Sequence, residues 1–580
     1  METSFLFSRK DSIVLEIKYQ SWLSHETMPE QLKTELLEMT DEEKEDAFYK
    51  YVEFGTAGMR GHLGVGTNRL NIFTLRRVNE GYARYITSFG EDAMEKGVAI
   101  SYDNRYMSKE FADDAALLLA KHNIKSYVFN ELRPTPELSF AVRALGCFGG
   151  IMITASHNPK EDNGYKLYDE TGCQLVPELI SEIISHVDTV GDELDIEVNP
   201  TEKQKELINV IDSEFDRVYL EKVASIQLHP ELSKKDLKVV FTPQHGTAYI
   251  PIKQLFENTG YNVIYVKEQC IADPAFSNTL SPNPEEPEAY KLALEYARRS
   301  NADIVLTTDP DGDRLGVAIY HDNDYVLLNG NQSAEVLMEY LFSQLTTLGK
   351  MPQNPIMFNT IVTSDLGKEI ASHYDVSNER TLTGFKYIGN KIAQYGKNNT
   401  RTFVFGYEES YGCLLSDFVR DKDALQACIM LMEAANYYKQ QNMTLLDVLH
   451  QVYKRHGWFL DKQESITFRG VEGSQKMQVM LNELRTNVPV EIGEMKVQRY
   501  EDYFDLVAIE NGKKESMIGF EEAAVLKYIL EDGSWIAIRP SGTEPKCKLY
   551  YGIRAEDKES ANAKLVEYYN AFDKLISNYR

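Results

Sequence analysis

From Val98 to Ser156 the chain reads VAISYD, then SKEFADDAALLLAKHN, KSYVFN, TPELSFAVRALG and GGIMITAS, joined by short connections. Short apolar runs alternate with longer segments of helical period. Within Ser108–Asn123, Phe111, Ala115, Leu118 and Leu119 fall at i, i+4, i+7 and i+8, one face of a helix. Ser108 stands where a helix N-cap belongs. Strand, helix, strand, helix, strand is the pattern of an α/β sheet, and it fixes the fold class.

The same alternation recurs outward from this stretch. LKVVFTPQHG, YNVIYVKE and ADIVLTTDPDGDR bracket the helical segments IPIKQLFENTG and EAYKLALEYARRS. PIMFNTIVTS and RTFVFGYEES then read as strands and DALQACIMLMEAANYY as a helix. The C-terminal stretch around SWIAIRPSGTEPKCKLYYGIRA reads as a separate α+β region. The first 50 residues alternate solvated charge with an apolar stripe, as a helical packing extension does. The expected division is 1–50, 51–205, 206–325, 326–455 and 456–580, with three α/β modules related by pattern rather than by residue identity.

At 580 residues the chain exceeds one core, so several domains are expected. Its formal net charge of −27 repels nucleic acid and anionic membrane, so neither is expected as a partner. Any phosphate must be met by locally placed cations. The amino terminus lacks the apolar run of a secretion signal, and no later segment offers ~18 uninterrupted apolar residues. The six cysteines are scattered without a CxxC pair, which suits small buried hydrophobes in a reducing cytoplasm.

Four polar, glycine-bearing loops each follow a strand, where open α/β sheets place ligands. In Asp309-Pro310-Asp311-Gly312-Asp313-Arg314, three aspartates converge only if Pro310 and Gly312 turn the backbone. Converging carboxylates call for a hard cation such as Mg²⁺. An EF-hand would need Glu at the twelfth position from Asp309, which is Tyr320. A solvated acidic turn is the bland alternative. The loop ITASHNPKEDNGYK (153–166) places Ser156, His157 and Lys166 after a buried strand without the GxSxG of a serine hydrolase. Beside a Mg²⁺ site such a serine serves as a covalent phosphoryl carrier, with His157 or Lys166 to move the proton. GYEESYG (406–412) offers carboxylates and hydroxyls suited to sugar hydroxyls, and Arg539-Pro540-Ser541-Gly542-Thr543-Glu544-Pro545-Lys546 forms a compact anion cradle. Taken alone, the first could be any polar hairpin, and a Pro/Gly turn with incidental charge is a close second reading of the other. With neither a Walker P-loop nor GxGxxG in the sequence, the phosphoryl group is expected to come from the enzyme itself.

TASHNPKEDNGYK, DPDGDR, GYEES and RPSGTEPK, in this order and spacing, resemble the four signature loops of the α-D-phosphohexomutase superfamily, the phosphoglucomutases and phosphomannomutases. FGTAGMRG (Phe54–Gly61) and TGFK (Thr383–Lys386) are similar to further motifs of that family. The resemblance implies a heart-shaped enzyme with three related α/β domains and a C-terminal α+β domain around a central cleft. It implies that Ser156 is the phosphoserine, with a phosphate oxygen completing a Mg²⁺ site of Asp309, Asp311 and Asp313. The phosphoryl group passes to a hexose monophosphate, the bisphosphate turns over, and its other phosphate returns to the serine. By the same resemblance Glu408 and Ser410 grip sugar hydroxyls, while Arg539, Ser541 and Thr543 hold the non-reacting phosphate. Lys166 is the general acid/base candidate, with His157 beside it, and Arg60, Arg314 and Lys386 are electrostatic partners. Thr383 and Lys422 match ligand-touching positions. Glucose 1,6-bisphosphate is the implied activator and a small sugar phosphate the implied substrate, in a cytoplasmic monomer or dimer.

The GYEES form departs from the GEMS form of dual-specificity members, which favours glucose over mannose. TGFK and the N-terminal extension resemble members acting on pentose phosphates, so a phosphomannomutase or a phosphopentomutase is the alternative within the family. A phosphatase that hydrolyses its phosphoserine, and a non-catalytic sugar-phosphate sensor, are the alternatives from other classes.

Overall fold

The computed structural model describes residues 9–26, 28–55, 58–468, 470–540 and 546–579. These divide into two compact units. The first comprises the chain up to Gln227, Lys234–Leu315 and Asp417–Ile429; the second comprises Leu228–Ser233, Gly316–Ser416 and the chain from Met430 onward.

In the first unit, the expected N-terminal extension is three helices, Arg9–Ser24, Glu30–Glu38 and Asp41–Phe48. Thr40 and Glu43 close a capping box at the start of the last of these. Trp22 is fully buried and meets Phe48 and Phe73 edge-on at 5.6 and 5.4 Å. Its indole N–H donates to Glu193 Oε1 at 3.0 Å, so the extension is tied down by both apolar and polar contacts.

Beside it lies a seven-stranded sheet in the order Phe54–Gly55, Gly58–His62, Asp162–Asp169, Gly149–Ile153, Val98–Tyr102, Ser126–Phe129, Ile208–Ile211. The last four strands are parallel. Every residue of Val98–Tyr102 and Gly149–Ile153 is buried, as their mostly apolar runs foretell. Asp162–Asp169 returns antiparallel to Gly149–Ile153, so the chain reverses immediately after Ser156. Helix Ser108–Lys121 buries Phe111, Ala115, Leu118 and Leu119, as its period requires. Its cap differs from the expectation: Met107 occupies the N-cap at φ 65°, and Ser108 is the first helical residue. The Ser108 hydroxyl instead donates to the buried Asp103 Oδ1 at 2.8 Å.

A second sheet in the first unit sets Val239–Thr242 between Ile304–Thr308 and Val263–Tyr265, all parallel. Ile304–Thr308 is buried throughout and delivers Asp309 at its C-terminal end.

In the second unit, Pro355–Thr360 lies parallel to both Ser377–Thr381 and Thr402–Tyr407, and Cys413–Leu414 pairs antiparallel with the latter. The C-terminal part is an antiparallel sheet in the order Trp458–Thr467, Lys546–Ala555, Trp535–Pro540, Leu526–Leu530, Met495–Asp502, Val507–Glu510, Lys513–Ser516. Met480, Leu481, Tyr568 and Phe572 of two helices share one core with its strand residues Leu526, Tyr528, Ile538 and Leu549. All six cysteines are free thiols, five of them buried. Among the described residues no helix is long and apolar enough to cross a membrane.

Candidate active site

Two loops of the first unit meet. The strand Gly149–Ile153 runs into Thr154-Ala155-Ser156, and Ser156 takes φ 54°, a left-handed backbone that costs an ordinary residue about 1–3 kcal/mol. Its N–H donates to Thr154 Oγ1 at 2.8 Å, and Thr154 Oγ1 in turn donates to Asp103 Oδ2 at 2.7 Å. The Ser156 hydroxyl, in a residue only 2% exposed, donates to Asp309 Oδ2 at 2.9 Å and lies 3.1 Å from His157 Nδ1. Residues 153 positions apart are thus in direct contact.

The aspartate loop is built for convergence. Gly312, at φ 67°, lets its N–H donate to the Asp309 carbonyl at 3.1 Å. Asp309 Oδ1 accepts from the N–H groups of Asp313 and Arg314, at 3.1 and 3.0 Å. A second loop braces the turn: Thr247 donates its N–H and its hydroxyl to the Pro310 carbonyl, at 2.8 and 2.9 Å. Ligand atoms of Asp309, Asp311 and Asp313 lie within 4.8 Å of one another, and all three residues are buried.

Besides Ser156 and the backbone N–H groups, the partners of the triad are cations and a second hydroxyl. Lys166 Nζ donates to Asp311 Oδ2 at 2.9 Å, and Thr135 Oγ1 donates to the same oxygen at 3.2 Å. Lys422 Nζ lies 3.0 Å from Asp313 Oδ2. Arg314 pairs with Glu285 at 2.8 Å, and its Nε stands 3.7 Å from Asp313 and 3.9 Å from Asp309. Burial and the charges of Asp311 and Asp313 push the Asp309 carboxyl well above the usual carboxylate range. Burial also works against ionisation of Asp311, but Lys166 beside it holds that carboxyl low. Asp311 Oδ1 and Asp313 Oδ1 are buried without a hydrogen-bond partner. Three carboxylates, two orphaned oxygens and an adjacent hydroxyl fit an oxygen-seeking divalent cation such as Mg²⁺. Tyr320, which rules out the EF-hand alternative, lies 43% exposed in the strand Leu315–His321.

Arg60 donates to Asn158 Oδ1 at 2.9 Å, on the loop that carries Ser156. Burial, with Arg314 and Arg60 next in weight, holds the His157 imidazole well below its usual pKa. His157 therefore faces the serine as a neutral ring, and Lys166 faces Asp311. Sequence spacing cannot make that distinction.

In the second unit, Glu408 is buried and its Oε1 accepts from the Gly384 N–H at 2.8 Å, joining the GYEES and TGFK motifs. Glu409 Oε2 accepts from Thr360 Oγ1 at 3.0 Å. Burial and Glu408 raise the Glu409 carboxyl, opposed by the charge of Arg539. Gly384, at φ 122°, caps the helix Phe385–Asn398, where Lys386 is buried with its Nζ 5.1 Å from the Tyr387 ring centroid. Thr383 Oγ1 is buried without a hydrogen-bond partner, and Ser410 is partly buried. Ser541 and Thr543 lie outside the described residues, as do Thr56 and Ala57 of FGTAGMRG.

Sequence reasoning missed Thr135, Thr247, Glu285, Asp103 and Arg105. For the last two the signal was present, because Asp103-Asn104-Arg105 is also a polar loop following a buried strand. It lacks the glycine that drew notice to the other loops.

Four family models match the chain in order: phosphoglucomutase/phosphomannomutase alpha/beta/alpha domain I over residues 51–193, domain II over 217–322, domain III over 329–456, and the C-terminal domain over 486–565. A phosphoglucomutase of Staphylococcus epidermidis is 38% identical over 527 residues, 89% of this chain and 93% of that protein. Among solved structures, the Paramecium exocytosis-sensitive phosphoprotein parafusin, a phosphoglucomutase in an open form, aligns at TM-score 0.66 and 19% identity, covering 91% of this chain and 95% of its own. A phosphoglucomutase/phosphomannomutase family protein of Burkholderia thailandensis aligns at TM-score 0.65 and 16% identity, covering 90% and 97%. At such identities the structural likenesses speak to fold.

Proposed function

This chain belongs to the phosphoglucomutase/phosphomannomutase family, and from that premise we propose that it interconverts glucose 1-phosphate and glucose 6-phosphate through a phosphorylated Ser156. The observation that carries the reading is the 2.9 Å contact between the Ser156 hydroxyl and Asp309 of a buried aspartate triad. Asp309, Asp311 and Asp313, with a phosphate oxygen carried by Ser156, would hold Mg²⁺, which supplies neutralisation of phosphate oxygens when bound.

In the forward half-reaction the free hydroxyl of the sugar phosphate attacks the phosphorus on Ser156. The bond from phosphorus to the serine oxygen breaks and a bond to the sugar oxygen forms. The sugar hydroxyl gives its proton to a base and the departing Ser156 oxygen takes one up, with His157 and Lys166 as the candidate carriers. The resulting glucose 1,6-bisphosphate, which is also the activator that primes the enzyme, turns over and returns its other phosphate to Ser156. Glu408 and Ser410 are assigned to sugar hydroxyls, and Arg539, Ser541 and Thr543 to the distal phosphate. Thr383, Lys386, Lys422, Arg60 and Arg314 are assigned to the remaining ligand contacts. Such transfer rests on positioning and local charge, so a net −27 on the chain is no obstacle where cations are placed locally. The free thiols suit a cytoplasmic setting.

The test is a coupled assay on glucose 1-phosphate, mannose 1-phosphate and ribose 1-phosphate, with Mg²⁺ and a trace of the matching bisphosphate. Glucose 1-phosphate is expected to lead in kcat/KM by about tenfold or more. A lead by mannose or ribose would reassign the sugar. Release of inorganic phosphate at a rate rivalling isomerisation would make the protein a phosphatase, and inertness toward all three would overturn the reading.

A further inference from the structure

The structure assigns Arg105 as the positioning residue that holds the Ser156 loop in its reactive shape, an inference that rests on the phosphoserine reading above. Arg105 is 4% exposed, and four backbone carbonyls of one loop converge on its guanidinium. Nη2 donates to Ser156 O at 2.5 Å and to Asn158 O at 2.6 Å; Nη1 donates to Pro159 O at 2.7 Å and to Asp162 O at 3.0 Å. Converging carbonyl dipoles repel one another, and a fixed planar cation turns that repulsion into attraction. Ser156 stands at φ 54° within the loop so gathered.

The guanidinium is itself fixed. Its Nε lies 3.2 Å from Asp103 Oδ2, and its Cζ lies 5.2 Å from the Phe276 ring centroid. Asp103 also accepts from Thr154 Oγ1 at 2.7 Å, Ser108 Oγ at 2.8 Å and the Arg105 N–H at 3.1 Å. Thr154 Oγ1 accepts from the Ser156 N–H. Ser156 is therefore gripped on both sides through one buried pair: Asp103 acts through Thr154 on its N–H, and Arg105 acts directly on its carbonyl. Its hydrogen bonds to the Ser156 loop are to backbone carbonyls, so Arg105 sets where the serine oxygen points without touching it. Lysine cannot replace it, since an ammonium offers neither the planar fork nor donors at four such places.

Arg105 also lines a cavity of about 530 Å³, together with Asn104, Lys109, Thr247 and Tyr249. The void left by truncating Arg105 would join that cavity, which gives a small cation a route to the carbonyls. The prediction is thus one of chemical rescue.

The test uses the full chain, with wild type, Arg105→Ala and Arg105→Lys assayed on glucose 1-phosphate at saturating Mg²⁺ and bisphosphate. Folding is followed by circular dichroism and thermal unfolding. Arg105→Ala is expected to lose about a hundredfold in kcat, the cost of a nucleophile misplaced by about 1 Å, with KM within about threefold of wild type. Guanidinium chloride at non-denaturing concentration is expected to restore kcat about tenfold or more, whereas equal sodium chloride does not. Retention of kcat within about threefold of wild type, or a loss matched in KM that guanidinium leaves unchanged, overturns the assignment. If Arg105→Ala does not fold, Arg105→Lys decides: a folded variant with about a hundredfold lower kcat supports it, and near-wild-type kcat overturns it. Wild type inert toward every sugar phosphate would instead sink the phosphoserine reading, and that is known before any variant is assayed.

Discussion

Asp309 and Asp311 share one turn, yet their carboxyls shift in opposite directions: burial and two neighbouring carboxylates push Asp309 up, while Lys166 outweighs burial and holds Asp311 down. The loop is built to be completed by a cation. Asp311→Asn removes a ligand oxygen and the partner of Lys166, and is expected to weaken Mg²⁺ binding by about tenfold or more in isothermal titration calorimetry. Ser156→Ala removes the oxygen that carries phosphate and is expected to lower turnover at least about a thousandfold, read in the coupled assay. At this scale the sequence told the type and order of the reactive groups, because three acids around a turn and a serine after a buried strand have few other uses together. It could not tell which proton carrier faces the serine. His157 and Lys166 share a loop, and only the reversal into the strand Asp162–Asp169 sends one to Ser156 and the other to Asp311.

Among elements, the buried parallel strands were legible because a strand covered on both faces reads as a short, mostly apolar run rather than an alternating one. The cap of Ser108–Lys121 was not, since a serine that suits a cap suits a buried aspartate better. The bracing of the aspartate loop by its neighbour was also hidden. A Cβ on Gly246 would stand 2.3 Å from Pro310 Cα, so this glycine is where two loops touch backbone to backbone. Gly246→Ala is expected to cost about 1–3 kcal/mol in urea unfolding and to weaken Mg²⁺ binding, by pushing the Asp309 loop out of place. Burial, then the charge of Asp461, pushes Glu335 on the helix Gly330–Thr347 up to about 8; burial, then Asp365, pushes Asp461 up to about 7. Both hold protons in the folded chain that they release when unfolded, so stability falls as pH rises from the ordinary carboxylate range through about 8. Glu335→Gln mimics the protonated form. It is expected to unfold about 2–4 °C higher than wild type near pH 8 and at about the same temperature near pH 5, checked by thermal melts across that range.

For the whole molecule, the order of the motifs carried more than any one of them, since each loop alone could be a polar turn. Four family models in matching order bear out that collinear reading. The central claim is that a serine and an aspartate triad, far apart in sequence, form one phosphoryl-transfer centre. Its most direct test is a single-turnover experiment that follows phosphate on Ser156. The protein is charged with glucose 1,6-bisphosphate, mixed with glucose 1-phosphate and Mg²⁺, quenched at intervals and mapped by peptide mass. Phosphate is predicted on Ser156, leaving for the sugar at least as fast as the steady-state turnover and staying in place when EDTA removes the metal. Isomerisation at full rate by a protein whose Ser156 never carries phosphate would contradict the account.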